Sequence, residues 1–382
     1  MADDFQISTL DMLAANPSLA ITEGIAYEAP YLYVTPHNDF VIAKIDTRTF
    51  AIVDTLDLSK FDAGLTGMLG SFTADGFLYV LPHLSATGPV YQNDVVRVDL
   101  ANFTPAGCST LAVLKASQAL SGSNGWTDGT NGYLNVQAKA GIVVARFGLG
   151  KNFTPASVQT LAIPTVNGSP AIRSNLVAVD ETNAYVITTV ASSLGIGGGS
   201  KQMDLWLATI PTANFTAKAS TFQRLTNLDM GGALPQVYTV VDDGENLWVP
   251  PLPIVNGPKA GTFIGVMKIP KANPAAFTTS QGPSSQPFPP LASASGNAVY
   301  DGWRYGYIAA QSTAQILQLD THNPGTVNLI DISAYSGGYA MYGLGYDGTW
   351  AYAVSFNGGG GLCLKFLPTP DPSGVCPCCL PS

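Results

Sequence analysis

The stretch YLYVTPHNDFVIAKIDTRTFAIVDTLDL, from Tyr31 to Leu58, contains three apolar runs separated by short polar segments. Each run is rich in Val, Ile, Leu and aromatic residues and is bounded by turn-forming residues, which is the pattern of a β-strand. A further short run, GIAY, lies just upstream. Four strands joined by tight turns predict one antiparallel meander.

The same pattern recurs along the whole chain. Copies of its second strand begin roughly 45 to 62 residues apart, a period typical of large β repeats. The seven copies are YLYVTP (Tyr31), FLYVLP (Phe77), YLNVQA (Tyr133), AYVITTV (Ala184), NLWVPPL (Asn246), YGYIAA (Tyr305) and WAYAVSF (Trp350). Most follow a tight turn such as ADGF, TDGT or YDGT, a strong hairpin signal. Four-stranded units at this period predict an all-β chain folded as a seven-bladed β-propeller.

Closure of the ring is predicted from the two termini. The last unit, from Met341, supplies only three strands before a Pro-rich segment. The N-terminal segment DFQISTLDM has the pattern of an outer strand, so Asp4–Met12 is predicted to complete the last blade and remove an exposed sheet edge. One domain is therefore expected over residues 1–368, with residues 369–382 as a Pro- and Cys-rich tail.

Asn-Phe-Thr occurs three times, at Asn102, Asn152 and Asn214. Asn-x-Thr is the acceptor for N-linked glycan, which is one interpretation. Strand patterns flank each copy, however, so the alternative is a turn that recurs because the blade recurs. The flanks favour the turn.

Tyr31–Leu58 resembles the YVTN-type propeller repeat, with Tyr33-Val34-Thr35, the Val41–Asp46 strand and the Thr47–Thr49 turn in place. QILQLDTHNPGTVNLIDIS is a weaker copy. The resemblance implies a bacterial, archaeal or viral surface protein, more often concerned with scaffolding or adhesion than with catalysis.

Composition narrows the classes of function. Charged residues make up 11% of the chain, against a typical share of about 25%. The net charge of −9, with no basic run, argues against nucleic acid or an anionic membrane as a partner. No apolar run is long enough to span a bilayer, and MADDFQISTL lacks the basic and apolar regions of a signal peptide. The chain is therefore expected to fold in the cytoplasm.

Two groups of polar residues are candidates for a site. His37 and His83 occupy the same place after the second strands of the first two units, where propellers usually bind ligands. They could bind a metal or act as a general base, but the favoured interpretation is a loop histidine that is repeated with the blade. The second group could form an oxygen-rich Ca²⁺ cage at the channel, similar to that of lactonase-type propellers. Its members lie near the starts of first strands: Glu23, Asn124, Asn175 and Asn297.

The five cysteines fall into two sets. Cys108 and Cys363 lie in or beside strands and are expected to be buried, inert thiols. Cys376, Cys378 and Cys379 crowd the tail, where three thiols make a poor zinc site but could cross-link neighbouring chains in an oxidising environment. The alternative is a disordered terminus whose cysteines have no role.

These observations favour a non-enzymatic structural or adhesion module, without a cofactor, on an extracellular particle such as a bacteriophage virion. Virion proteins fold in the host cytoplasm without a signal peptide and meet oxidising surroundings after lysis. The expected partners are other proteins of the particle, joined through the tail cysteines, and a glycan or protein of the host surface. The alternative is a Ca²⁺-dependent lactonase or hydrolase acting at the central channel.

Overall fold

A computed structural model describes residues 6–37, 39–62, 68–82, 93–114, 118–120, 125–138, 141–163, 171–191, 203–225, 237, 239–253, 262–280, 298–310, 313–355 and 360–367. Seven antiparallel sheets, numbered here blades I to VII in chain order, form a β-propeller. The prediction of seven four-stranded blades is confirmed, although the first strand of blade III is split in two.

The strands of each blade follow one another from the channel outwards. The first strands are Thr22–Glu28, Met68–Ala74, Gln118–Leu120 with Trp126–Thr127, Ala171–Val179, Val241–Asp242, Ala298–Tyr300 and Met341–Tyr346. The second strands are Tyr31–Pro36, Phe77–Pro82, Asn131–Ala138, Asn183–Ala191, Asn246–Val249, Tyr305–Ala310 and Ala351–Ser355. The third strands are Val41–Asp46, Asn93–Asp99, Gly141–Gly148, Met203–Pro211, Met267–Pro270, Gln315–Asp320 and Leu362–Phe366. The fourth strands are Ala51–Asp57, Cys108–Leu114, Gln159–Ala162, Thr221–Arg224, Thr278–Thr279, Val327–Asp331 and Ile7–Asp11.

Short elements decorate the ring. An added hairpin pairs Leu252–Pro253 with Phe263–Ile264. One α-helical turn, Ser333–Ser336, follows blade VI. Single turns of 3₁₀-helix occur at Pro17–Leu19, Leu58–Lys60, Pro105–Gly107, Gly150–Asn152, Pro155–Ser157 and Pro274–Ala276.

The N-terminal strand closes the ring as predicted. Ile7–Asp11 pairs antiparallel with the third strand of blade VII, from Ile7 opposite Phe366 to Asp11 opposite Leu362. The amide of Met12 continues the contact by donating to the carbonyl of Gly361 at 2.7 Å. The observed strand is shorter than the predicted Asp4–Met12, of which residues 4 and 5 lie outside the described residues.

The two ends of the ring differ in their connections. At one end, called the turn end, the first strand of each blade turns into the second and the third into the fourth. At the other, called the loop end, the second strand leads to the third and the fourth leads to the next blade. Seven clusters of buried apolar side chains fill the ring, one between each pair of neighbouring blades.

Each blade buries one large aromatic residue in its second strand, and none is more than 1% exposed: Tyr33, Tyr79, Tyr133, Tyr185, Trp248, Tyr307 and Tyr352. In four blades an aspartate of the preceding turn hydrogen-bonds to this residue. The hydroxyls of Tyr133 and Tyr352 donate to Asp128 and Asp347 at 2.6 Å. The indole of Trp248 donates to Asp243, also at 2.6 Å. Because the same carboxylates accept turn amides, the turn aspartates have structural roles.

A cation lies opposite this aromatic residue on the third strand of five blades: Lys44, Arg97, Arg146, Lys268 and Lys365. Three of them form a hydrogen bond to the next blade around the ring. Arg97 donates to the carbonyl of Gly150 at 2.5 Å, and Lys365 donates to that of Thr47 at 2.7 Å. Arg146 donates to the carbonyl of Thr212. These three contacts are called the blade latches.

The blade latches also explain Asn-Phe-Thr. The Phe of each copy lies under the cation of the preceding blade, with Lys44 5.6 Å from the ring of Phe103, Arg97 4.8 Å from Phe153 and Arg146 5.1 Å from Phe215. Such cation–π contacts stabilise a partly exposed cation by about 0.5–1 kcal/mol each. The repeated tripeptide therefore lies in the turn between third and fourth strands and joins neighbouring blades.

Candidate functional site

The first strand of blade I carries a β-bulge at the loop end. Thr22 lies opposite Pro36 and Gly24 opposite Thr35, so Glu23 is the extra residue. Blade II has the same register shift between Met68 and Gly70, and blade VII has one between Met341 and Leu344. Bulges redirect a side chain from the plane of the sheet and are frequent beside functional sites.

The bulge brings Glu23 together with His37 and Tyr342. His37, at the end of the second strand, donates from Nδ1 to Oε2 of Glu23. Tyr342, in the bulge of blade VII, hydrogen-bonds to the same carboxylate. The side chain of Glu23 is 3% exposed and that of His37 is 21% exposed. A buried carboxylate is costly unless paired, and these two partners pair it.

The pKa values of Glu23 and His37 are both raised, but for different reasons. Removal from water raises the pKa of Glu23, although the hydrogen bond and charge of His37 oppose that shift. The hydrogen bond to Glu23 raises the pKa of His37. Both shifts make the pair retain protons to a higher pH than the isolated side chains would. A carboxylate–imidazole pair of this kind can bind a polar ligand or transfer a proton.

Glycines allow the first strands to approach one another around this cluster. A Cβ on Gly24 would lie 2.3 Å from Oγ1 of Thr35 and 2.9 Å from Cα of Gly70. A Cβ on Gly343 would lie 2.5 Å from the carbonyl oxygen of Glu23. Any larger residue at these positions would push neighbouring blades apart.

The structure describes only part of each predicted site. His37 and Glu23 are in contact, a pairing across the two predicted groups that the sequence did not indicate. Asn175 is buried, and its amide donates to the carbonyl of Val237 at 2.5 Å. His83, Asn124 and Asn297 lie outside the described residues. Within the described residues, no group of three or more His, Cys, Asp or Glu side chains could hold a metal ion. The Ca²⁺ cage therefore stays a prediction.

Tyr342 is the residue that sequence reasoning missed. Its signal was available, because Thr-Glu-Gly, Met-Leu-Gly and Met-Tyr-Gly occupy the same place in blades I, II and VII. In each, the residue before glycine lies in the bulge.

The cysteines of the ring are free thiols. Burial raises the pKa of Cys108 to about 11 and that of Cys363 to about 12, which makes both unreactive. Cys108 is partly exposed rather than buried. Cys376, Cys378 and Cys379 lie outside the described residues. No helix among the residues placed by the structure has the length and apolar character needed to cross a membrane.

Comparison with known proteins supports the fold. No protein-family model matches the chain, and no curated protein matches it in sequence. Virginiamycin B lyase from Staphylococcus aureus is similar in structure, with a TM-score of 0.58 and 14% identity over 96% of this chain and 100% of that one. The β-propeller domain of Cps50 (Swd1) from Myceliophteria thermophila gives 0.55 and 8%, over 95% and 100% of the two chains. The WD40 repeats of RRP9 give 0.54 and 10%, over 91% and 95%.

At these identities the likeness shows the fold alone. The chain is a seven-bladed β-propeller, and its structural neighbours include a lyase and WD40 domains. A propeller hosts many activities, so fold does not choose among them.

Proposed function

We propose that the protein is a non-enzymatic structural or adhesion propeller on an extracellular particle, most consistent with a bacteriophage virion. The observation that carries this proposal is that the polar side chains described below are engaged in contacts within the ring. The turn aspartates bind turn amides and core aromatics, and the latch cations bind the next blade. Glu23 is paired with His37 and Tyr342. Such a ring suits a rigid scaffold.

Particle assembly also accounts for the tail. Residues 369–382 follow the last strand of the ring, which ends at Phe366. Three cysteines within four residues cannot readily pair with one another, because disulfide geometry is specific. Cysteines of a neighbouring chain would form disulfides with them after the particle is released into oxidising surroundings.

Sedimentation with the particle tests this proposal. Particles purified from a lysate through a density gradient should contain the full chain at a fixed ratio to the major shell protein. Washing in 1 M salt should leave that ratio unchanged if the chain is a built-in component. Recovery of the chain only in the soluble fractions would contradict the proposal.

A Ca²⁺-dependent hydrolase acting at the channel is the second candidate. One observation favours it: the buried Glu23 carboxylate lies in a bulge beside an imidazole, at the end of the ring where propellers usually bind ligands. A bound ion would stabilise the folded state by mass action. Millimolar Ca²⁺ should therefore raise the melting temperature, and Glu23→Gln should abolish the rise. For a structural propeller, we expect no rise in either protein.

A further inference from the structure

A shallow polar groove lies at the turn end of blade III, away from Glu23. It has a volume of about 390 Å³ and is lined by polar side chains, including Arg146, Lys151, Asn152, Thr154 and Gln159. Sites for small molecules have volumes of roughly 300–1,000 Å³, so the groove has room for one or two sugar units.

The backbone that forms the groove is held from two sides. The amide of Gly150 donates to the hydroxyl of Tyr79 at 2.7 Å, and its carbonyl accepts from Arg97 at 2.5 Å. Both partners belong to blade II. Within the turn, the amide of Gly148 donates to the hydroxyl of Ser157 at 2.9 Å. The exposed side chains of this turn are therefore presented from a fixed backbone, which favours binding.

This turn differs from its two counterparts. In blade II the hydroxyl of Thr104 donates to the side chain of Asn102 at 2.9 Å, and in blade IV Thr216 donates to Asn214 at 3.1 Å. The structure records no such bond between Asn152 and Thr154, whose side chains line the groove instead. The residue that precedes the Asn is Ala101 in blade II and Ala213 in blade IV, whereas it is Lys151 in blade III.

The charged side chains that line the groove are both cations. Arg146 donates to the carbonyl of Thr212 and, at 2.8 Å, to the side-chain oxygen of Gln159, both neutral acceptors. Lys151 is exposed and forms no ion pair within the described part of the chain. Two carboxylates lie nearby without lining the groove: Asp128 is engaged with Asn131 and Tyr133, and Oδ2 of Asp75 would lie 3.2 Å from a Cβ on Gly150. Arg146 and Lys151 line the groove itself and neither carboxylate does, so the groove favours an anionic ligand.

We propose that this groove binds an acidic carbohydrate, with the carboxylate of a uronic-acid unit at Lys151 and Arg146. The amides and hydroxyls of Asn152, Thr154 and Gln159 then pair with sugar hydroxyls. The proposal rests on the adhesion function proposed above and names its ligand class.

Binding of oligogalacturonate to the purified full-length protein tests the proposal. Titration calorimetry should detect binding that weakens as salt is raised, because the contact is between exposed charges. A neutral galactose oligomer of the same length should bind at least tenfold more weakly, since it lacks the charge-assisted bonds.

Two charge variants at equivalent positions locate the site. Lys151→Glu should weaken binding about tenfold or more, whereas Ala213→Glu, in the counterpart turn of blade IV, should leave it within about twofold. Both positions are exposed, so both variants should melt like the parent protein.

Absence of binding, equal loss in the two variants, or equally tight binding of polyglutamate would overturn the proposal. Association with the particle is measured separately by sedimentation. If the protein sediments with particles but does not bind acidic sugars, the proposal for the groove is refuted and the proposed function is not.

Discussion

The blade latch of Arg97 offers a quantitative test of what holds the ring together. Its guanidinium donates to the carbonyl of Gly150 in the next blade and lies 4.7 Å from the ring of Phe77 and 4.8 Å from that of Phe153. A hydrogen bond from a charged group contributes about 1.5–3 kcal/mol. Each cation–π contact adds about 0.5–1 kcal/mol. Arg97→Met keeps most of the apolar stem, so its loss of stability should be about 2.5–5 kcal/mol.

The corresponding shift in melting temperature follows from chain length. An unfolding entropy of about 2.1 cal/mol/K per residue gives roughly 0.8 kcal/mol/K for 382 residues. Arg97→Met should therefore melt roughly 3–6 °C below the parent in calorimetry. Lys218 is an exposed residue in the turn between the third and fourth strands of blade IV. Lys218→Met should therefore shift the melting temperature by less than about 1 °C. Equal shifts in the two variants would refute the latch.

Three further predictions follow from the fold. Deletion of residues 2–11 removes the strand paired with Leu362–Phe366 and exposes a sheet edge, so the product should aggregate or melt well below the parent; unchanged solubility and melting would contradict this closure. Asn102, Asn152 and Asn214 should carry no glycan, because they lie in the turns between third and fourth strands that join neighbouring blades. Hexose mass on their peptides from native material would contradict this. Burial raises the pKa of Asp180, but hydrogen bonds from Thr182 outweigh it and hold the value at about 2. A depressed pKa stabilises the fold above the unfolded value near 3.8 and is lost as pH falls towards 2. Acid denaturation should therefore be shallower over that range in Asp180→Asn, and identical profiles would contradict the assignment.

Much of the fold was predictable because strand periodicity and turn chemistry are local signals. Tyr31–Pro36 and its six counterparts were located from the sequence, and so was the closing strand. The first strand of blade V was harder to delimit. In the structure it covers Val241–Asp242 alone, although the sequence before it is also rich in valine.

The contacts between blades were not predictable in the same way. Asn-Phe-Thr was recognisable as a turn, but its Phe meets a cation from a strand roughly 55 to 70 residues earlier, a separation that no local pattern encodes. The same holds for Glu23 and Tyr342, which lie at opposite ends of the chain and meet only because the ring closes. The bulge before glycine is the local feature that could have pointed to them.

The most direct test of the proposed function is immunogold electron microscopy of intact, purified particles. Fab fragments raised against the turn end of blade III, residues 149–159, would report whether the protein is present and whether this end is exposed. The proposal predicts gold at one defined place on each particle, lost when particles lacking the protein are used. As a control, the same Fab must bind the purified protein. If it does and the particles are still unlabelled, a role on the particle surface is contradicted.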